Sequence, residues 1–507
     1  MTESVPVNEA EIRQQNLTGK ISAFFSDKYN LAFIAVLIIA IVIRLYYFFI
    51  TKNQPIWWDE GEYLSTAKHW IFGMPYDVHV QRQPLFPLIL AFFMKFGITN
   101  EGALKFLTVL LPSVFSVFLM YFFTKEIYDK KTALIGTFLL SVFWTHLFWT
   151  NRFSTDIFGF AFTLLAFYSL WKYYNSKSGK WLILMSFSLG LGLLIRIGGM
   201  ISIFIVAMFL LLTERLRLLK KEWLLSGGII FLTILPYLIW DKIKYGKFFA
   251  FFLGYFNAER TAEKLAQPIA WWVFSFLKTY NGWVFLIVFL IGLACFANLF
   301  LGFDLLIKNK DSPLKKELFL LISILIPLIY FVFIERNVED RWMFAMIPAM
   351  FIVIAKGLDY IKSFISKYNK YLAIIAVIAL LALGTYSELK NADTIIKFKK
   401  DAYGPVKDAA LWMKTNSNPG DIIFTSSVPQ MSYYTERKIF GVPPSDLFEN
   451  MTETYKPRFL VLSLFDKSVN EAYDYPVKYN QTLMPVRVYY FDAAQTQPSL
   501  IVYAFKY

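Results

Sequence analysis

Residues 31–50 read LAFIAVLIIAIVIRLYYFFI. A helix needs about 20 predominantly apolar residues to cross the hydrocarbon of a bilayer, and this run supplies them. Just beyond it comes Ile56-Trp57-Trp58-Asp59-Glu60-Gly61-Glu62-Tyr63. Paired tryptophans mark a membrane–water interface, where amphipathic rings settle. Asp59 and Glu60 are therefore expected at the lip of the membrane. Carboxylates there are costly unless they pair, accept hydrogen bonds or do chemistry.

Ten further apolar runs follow, starting near Ala103, Thr132, Ile157, Trp181, Gly198, Trp223, Gly282, Leu318, Trp342 and Tyr371. A shorter run, Leu85 to Phe96, follows Pro84 and is interrupted by Pro87; it reads as an interfacial helix. The whole chain is 57% hydrophobic and 19% aromatic, with a mean hydropathy of +0.48. That is more apolar surface than a soluble protein of 507 residues needs, so a polytopic α-helical membrane protein with about eleven spans is expected. A net charge of +14 would suggest nucleic acid in a soluble protein. Here the basic residues fall in short loops between apolar runs, such as Lys125, Lys130 and Lys131, or Lys172, Lys177 and Lys180. Arg215, Arg217, Lys220 and Lys221, then Lys308, Lys310, Lys315 and Lys316, then Lys356, Lys362, Lys367 and Lys370, continue the pattern. These loops alternate with poorer ones, which puts them all on the cytoplasmic side. The bilayer is thus the partner implied by charge, and no nucleic acid is. Cys295 alone makes neither an intrachain disulfide nor a metal site.

The expected organisation is a cytoplasmic tail over 1–28, a membrane domain over 29–386 with 51–102 as its first outer loop, and an outer α/β domain over 387–507. The tail is polar and the run after it lacks a cleavage pattern, so no cleavable leader is expected. In the last region a helix starts near Pro405, and Ile422–Phe424, Phe459–Leu462, Val486–Tyr490 and Leu500–Tyr503 read as short strands. Asn418-Pro419-Gly420-Asp421 is a turn. With an odd number of spans this domain lies outside the cytoplasm.

The same topology gathers polar residues on the outer lip. Asp59, Glu60, His79 and Arg82 share the first outer loop. Asn151-Arg152-Phe153-Ser154-Thr155-Asp156 caps the third and fourth spans, Arg196 separates the fifth and sixth, and Glu335-Arg336-Asn337-Val338-Glu339-Asp340-Arg341 precedes the tenth. Guanidinium groups grip phosphate in a fork and keep their charge, whereas a carboxylate can take a proton from an attacking hydroxyl. The mixture suits a substrate with a phosphate and a hydroxyl. Each cluster also has an ordinary structural reading. Asp59 and Glu60 could cap a helix, Arg152 and Asp156 could pair at i to i+4, Arg336 and Arg341 could pair with Glu339 and Asp340, and Arg196 could anchor its span. No nucleotide-binding loop, zinc-spaced ligand set or Asp-x-Asp pair is present.

At these residues the chain resembles the membrane glycosyltransferases of the C superfamily, above all the branch of protein O-mannosyltransferases and lipid A aminoarabinose transferases. The resemblance rests on Asp59-Glu60 after the first span, and on Gly73-Met74-Pro75-Tyr76 leading to Arg82-Gln83-Pro84-Leu85-Phe86-Pro87-Leu88. It also rests on Asn151-Arg152-Phe153 with Asp156, and on Arg341-Trp342 with the trailing Pro348. The departures are Gln83, where proline is usual, and Trp342, where tyrosine or phenylalanine is commoner. The resemblance implies a hexosyl- or pentosyltransferase, using a polyprenyl- or dolichyl-phosphate sugar and a hydroxyl on a protein, lipid or glycan acceptor. Asp59 would be the base of an inverting displacement and Glu60 would orient the acceptor or a basic partner. Arg341, with Arg82 and Arg152, would hold the donor phosphate, supported by Asp156, His79, Arg336 and Glu339. No cofactor is required; some relatives bind a divalent metal, so metal use stays open. The competing expectations are a lipid-linked-sugar flippase or transporter, which should show charges buried mid-span and broken helices in matching halves, and a non-catalytic scaffold, which should not need the ordered motifs.

Overall fold

The computed structural model describes residues 25–214, 220–256, 269–294, 296, 314–335, 339–491 and 494–507. Cys295, Arg336 and the loop residues Arg215, Arg217, Lys308 and Lys310 lie outside them, as does nearly all of the expected tail.

The run that opens the sequence forms α1 (Lys28–Thr51), capped by Asp27, whose carboxylate accepts from the Tyr29 N–H. The Trp-Trp-Asp-Glu stretch opens α2 (Trp58–Phe72), and the proline-interrupted run forms the 11-residue α3 (Leu85–Lys95). Then come α4 (Glu101–Ile127), α5 (Lys130–Val142), α6 (Trp144–Trp149), α7 (Thr155–Ser176), α8 (Gly179–Ile195), α9 (Gly199–Glu214) and α10 (Lys221–Tyr245). Four more follow: α11 (Ile269–Ala294), bent where Gly282 takes φ 56°, α12 (Lys315–Ile334), α13 (Asp340–Ser366) and α14 (Lys370–Lys399). All eleven runs expected to span are thus helical. Among the described residues, six stretches are long and apolar enough to cross a membrane: α1, α4, α10, α12, α13 and the one containing α14. The chain is a multi-pass helical membrane protein. Its last long helix continues past Tyr386 to Lys399.

The third run is not one helix. Phe143 is extended (φ −65°, ψ 118°), which separates α5 from α6. Such a break strands carbonyls on one side and N–H groups on the other, where no bulk water can serve them. Two buried charges answer it. Arg44 of α1, 1% exposed, donates to the Ser141 carbonyl at 3.1 Å, the Leu140 carbonyl at 3.5 Å, Ser113 Oγ at 2.7 Å and His146 Nδ1 at 2.9 Å. Glu388 of α14, 4% exposed, accepts the Trp144 N–H at 3.1 Å. A guanidinium sits at a helix C-terminus, where the peptide dipoles favour it, and a carboxyl accepts the N–H at a helix N-terminus.

Beyond α14 come α15 (Gly404–Thr415), β1 (Ile422–Thr425), α16 (Val428–Thr435), β2 (Lys438–Phe440), α17 (Ser445–Tyr455), β3 (Phe459–Ser463), β4 (Leu483–Tyr490) and β5 (Pro498–Phe505). The strand order is β2-β1-β3-β5-β4, with β1 parallel to β2 and β3, and β5 antiparallel to β3 and β4. Strand β2 went unread in the sequence, being only three residues long. Strand β3 is buried along its whole length, as a central strand covered on both faces must be. One face carries Phe424, Leu460 and Leu462 under α17. The other carries Ile423, Val461 and Val502 and is continuous with the core of the membrane helices.

The bridge between these parts is α16 lying on α2. Ser65 Oγ donates to the Pro429 carbonyl at 3.2 Å, the Ile56 N–H donates to the Tyr434 hydroxyl at 3.1 Å, and Lys68 pairs with Glu436 at 2.6 Å. Gly61 permits the approach: a Cβ there would lie 2.8 Å from the backbone of Pro429 and Gln430, which cannot step aside.

Replacing Arg44 by Met orphans the Leu140 and Ser141 carbonyls. Each buried unsatisfied group costs about 1–3 kcal/mol. Thermal unfolding in detergent is expected to show a clear loss for Arg44→Met; an unchanged midpoint would mean that the broken helix is satisfied in another way.

Candidate active site

The segment after α1 is stitched down before α2 begins. Thr51 Oγ1 donates to Asn151 Oδ1 at 3.0 Å, and the buried Lys105 donates to the Thr51 carbonyl at 3.2 Å. Glu60, at the third position of α2, then does what a capping carboxylate does. It accepts the Trp57 N–H at 2.7 Å. It also accepts the Phe153 N–H at 2.6 Å and pairs with Arg152 at 3.2 Å. Arg152 in turn donates to the carbonyls of Pro55 and Lys399, both at 2.9 Å, and lies 3.8 Å from the Trp57 ring centre. Glu60 is 4% exposed and Arg152 is 1% exposed. The expected i to i+4 pair of Arg152 with Asp156 does not form. The expected phosphate contact from Arg152 fits poorly too, because its guanidinium is buried against Glu60 and two carbonyls.

Asp59, one residue before Glu60, points elsewhere. Its Oδ1 receives Arg82 Nη2 at 2.6 Å and its Oδ2 receives Arg341 Nη1 at 2.8 Å. Arg82 also pairs with Glu62, and Arg341 with Glu339 at 2.8 Å. Arg341 Nη1 lies 3.9 Å from Asp156, which is buried and pairs with Arg196. Signs therefore alternate: Glu62, Arg82, Asp59, Arg341, Asp156, Arg196. Asp156 is held at the start of α7, where its N–H and carboxylate both bond Ser154 Oγ. Burial alone would raise the Asp59 carboxyl. The charges of Arg82 and Arg341 outweigh it and hold the group down at about 2. Burial pushes the Glu62 carboxyl up, with Arg82 opposing.

Asp59, Tyr63 and Arg341 line two cavities. The first, of about 320 Å³, has Arg82, Arg196 and Arg341 at its polar end and Ile197, Ile201, Phe204, Ile326 and Phe331 along its walls. Phe204 is 55% exposed, so that wall reaches the lipid-facing surface. The second, of about 470 Å³, lies between the start of α2, the segment from Trp149 to Ser154, residues 339–341 and residues 399–403.

The structure thus brings together Asp59, Arg82, Arg341, Asp156 and Glu339. His79 is exposed and sits beside Glu62 and Tyr76 on another side of α2. Arg336 lies outside the described residues. Two members were not among the site residues expected from the sequence. Glu62 was signalled by its i to i+3 spacing from Asp59. Arg196 was visible as a charge ending an apolar run, yet its partner Asp156 is forty residues away and only folding joins them. Among the described residues no three His, Cys, Asp or Glu side chains converge as a metal site requires. Arginines hold both Asp59 oxygens.

Residues 81–240 match the family described as dolichyl-phosphate-mannose-protein mannosyltransferase. No curated protein matches the chain. Among solved structures, the chain is similar to ArnT from Cupriavidus metallidurans in the apo state, with a TM-score of 0.64 at 12% identity, covering 92% of this chain and 97% of that one. The same protein bound to undecaprenyl phosphate gives 0.62 at 12%, covering 96% and 98%. The apo oligosaccharyltransferase of Archaeoglobus fulgidus gives 0.61 at 14%, covering 85% and 69%. The chain thus shares the fold of these solved membrane proteins, in line with the resemblance drawn from its motifs.

Removing one partner of a buried ion pair leaves an uncompensated charge, at about 3–5 kcal/mol. Glu60→Gln and Arg152→Met are each expected to lower the unfolding midpoint strongly. The double variant should recover part of the loss. Additive losses in this cycle would show that the two side chains do not act as a pair.

Proposed function

We propose that this chain is a membrane glycosyltransferase that moves a sugar from a polyprenyl- or dolichyl-phosphate donor to an acceptor hydroxyl on the outer face of the membrane. The observation that carries the reading is Asp59 standing between two cavities with an arginine on each oxygen. The smaller cavity has a cationic end and an apolar wall open to lipid. That is the shape of a phosphate with a hydrocarbon tail. The larger one gives an acceptor access to the same carboxylate.

The acceptor oxygen attacks the anomeric carbon from the face opposite the phosphate. The carbon–oxygen bond to phosphate breaks and its electron pair leaves as the lipid phosphate. The hydroxyl proton passes to Asp59. Arg82 and Arg341 offset the second negative charge that grows on the phosphate, stabilisation worth several kcal/mol when preorganised. Arg196 stands behind them. Glu60 and Arg152 are positioning residues: they fix the first turn of α2 and so the aim of Asp59.

A carboxylate held at about 2 is a poor proton acceptor. The donor phosphate cures this. By drawing Arg82 and Arg341 toward itself it frees Asp59 of both partners and raises its basicity, so the base becomes competent only with donor in place. Two kinetic quantities then separate. Donor kcat/KM reports the free enzyme and should show no Asp59 limb as pH falls from 7 to about 4. By contrast, kcat reports the occupied enzyme and should fall on the acid side with an apparent pKa above that. Asp59→Asn should lower turnover by about a hundredfold or more without weakening donor binding. Arg341→Lys, which keeps charge but loses the fork, should weaken donor binding, and Arg341→Ala should weaken it further. Near-normal turnover in Asp59→Asn with a panel of labelled lipid-phosphate sugars would remove the base assignment.

The alternation of lysine-rich loops supports a cytoplasmic N-terminus and an outer C-terminal domain. With Cys295 replaced, a cysteine at the exposed Ser445 should react with an impermeant reagent in intact cells, and one at the exposed Ser176 should not. The opposite pattern would invert the orientation.

A further inference from the structure

The larger cavity has walls of a particular chemistry. Three indoles, Trp57, Trp58 and Trp149, the phenol of Tyr403 and the carboxylates of Glu339 and Asp340 together line about 470 Å³. That volume lies within the range of about 300–1,000 Å³ usual for sites that enclose a small ligand.

Two of the indoles pack against guanidinium groups. Arg152 packs 3.8 Å from the Trp57 ring centre and Arg341 packs 4.8 Å from that of Trp149. Trp149 Nε1 donates to Asp340 Oδ2 at 3.3 Å, which fixes its rotation. Trp58 is 37% exposed, with its Nε1 tied to Glu62 at 3.1 Å. The Trp57 Nε1–H is buried and lacks a hydrogen-bond partner among the described residues.

Several main-chain groups around the cavity bond within the protein. The N–H groups of Trp57 and Phe153 go to Glu60, and that of Arg341 goes to Asp340. The carbonyls of Pro55 and Lys399 go to Arg152, and that of Glu339 goes to the Trp342 N–H. A polypeptide acceptor is usually captured through main-chain bonds to a strand edge, or as a helix in an apolar groove. This wall supplies neither. It supplies flat apolar rings, an indole donor and carboxylates. Ionised carboxylates only accept, and each oxygen has room for more than one bond. The complementary ligand is rich in hydroxyl donors and has apolar faces that pack on rings.

We propose that the acceptor is a saccharide. Its ring packs against the indoles, its hydroxyls donate to Glu339 and Asp340, and one further hydroxyl is presented to Asp59. The inference rests on the glycosyl-transfer reading above and narrows it. It runs against the protein acceptor that the description of the matching family would suggest. The acceptor loses one proton to Asp59 and gains the sugar at that oxygen, and the donor leaves as lipid phosphate.

The test uses the full chain in lipid nanodiscs with labelled undecaprenyl- and dolichyl-phosphate hexoses and pentoses. Each is offered free oligosaccharides, glycolipids carrying the same glycans, peptides containing Ser and Thr, or water alone. Label should pass to saccharides and not to peptides, and the free and lipid-linked arms tell which source is used. Trp58→Ala should raise the saccharide KM by about tenfold with a smaller fall in kcat, and Trp58→Phe should restore much of the loss. Transfer to peptides with saccharides inert, or an unchanged KM in Trp58→Ala, overturns the inference and leaves glycosyl transfer standing. A donor panel left intact in every arm, water included, overturns the underlying reading as well.

Discussion

The site depends on the buried pair of Glu60 and Arg152. Burying two opposite charges is expensive, and the expense is met only when every remaining donor and acceptor finds a partner. Here they do: Trp57, Phe153, Pro55 and Lys399 all bond to the pair. Three separate stretches of chain, 55–60, 152–153 and the end of α14 at Lys399, are thereby pinned to one point. Successive residues on a helix are turned by about 100°. Fixing Glu60 inward therefore fixes Asp59 toward the arginines and the cavities. The acid that looks most constrained structurally sets the aim of the acid that looks chemically available.

Around Asp59 the charges alternate because nothing else would be stable there. Asp156 is nearly completely buried and needs Arg196; Arg82 needs both Asp59 and Glu62. Such a chain is satisfied at rest, and guanidinium groups can exchange one carboxylate oxygen for a phosphate oxygen at little geometric cost. A lysine could not hold two anions in one plane in this way. On the proposed mechanism, the exchange that binds a lipid phosphate is also the one that unmasks a base.

The membrane part and the α/β part share one apolar core, through α16 on α2. The roof of the larger cavity, around Tyr403, therefore cannot move independently of the helix that carries Asp59. The buried charges Arg44 and Glu388 do a different task. They close the broken third helix, whose stranded backbone groups lie where a bilayer offers no water. A polar side chain inside a span answers a break in the backbone here.

The residue pattern alone was enough for the membrane class, the eleven helical runs, most of the strands and the acidic and basic motifs. Apolar run length and strand alternation are local properties, written into consecutive residues. Strand β2 escaped because three residues carry too little period, and the break at Phe143 because an extended residue inside an apolar run leaves no compositional mark. Partner choice was decided only by tertiary structure. Arg152 was free to pair with Asp156 four residues on, yet it pairs with Glu60 across 92 positions. Asp156 instead takes Arg196, and Arg341 reaches Asp59 across 282 positions. Which cation meets which anion depends on where helices cross and what burial each group must survive, and neither is a property of neighbouring residues.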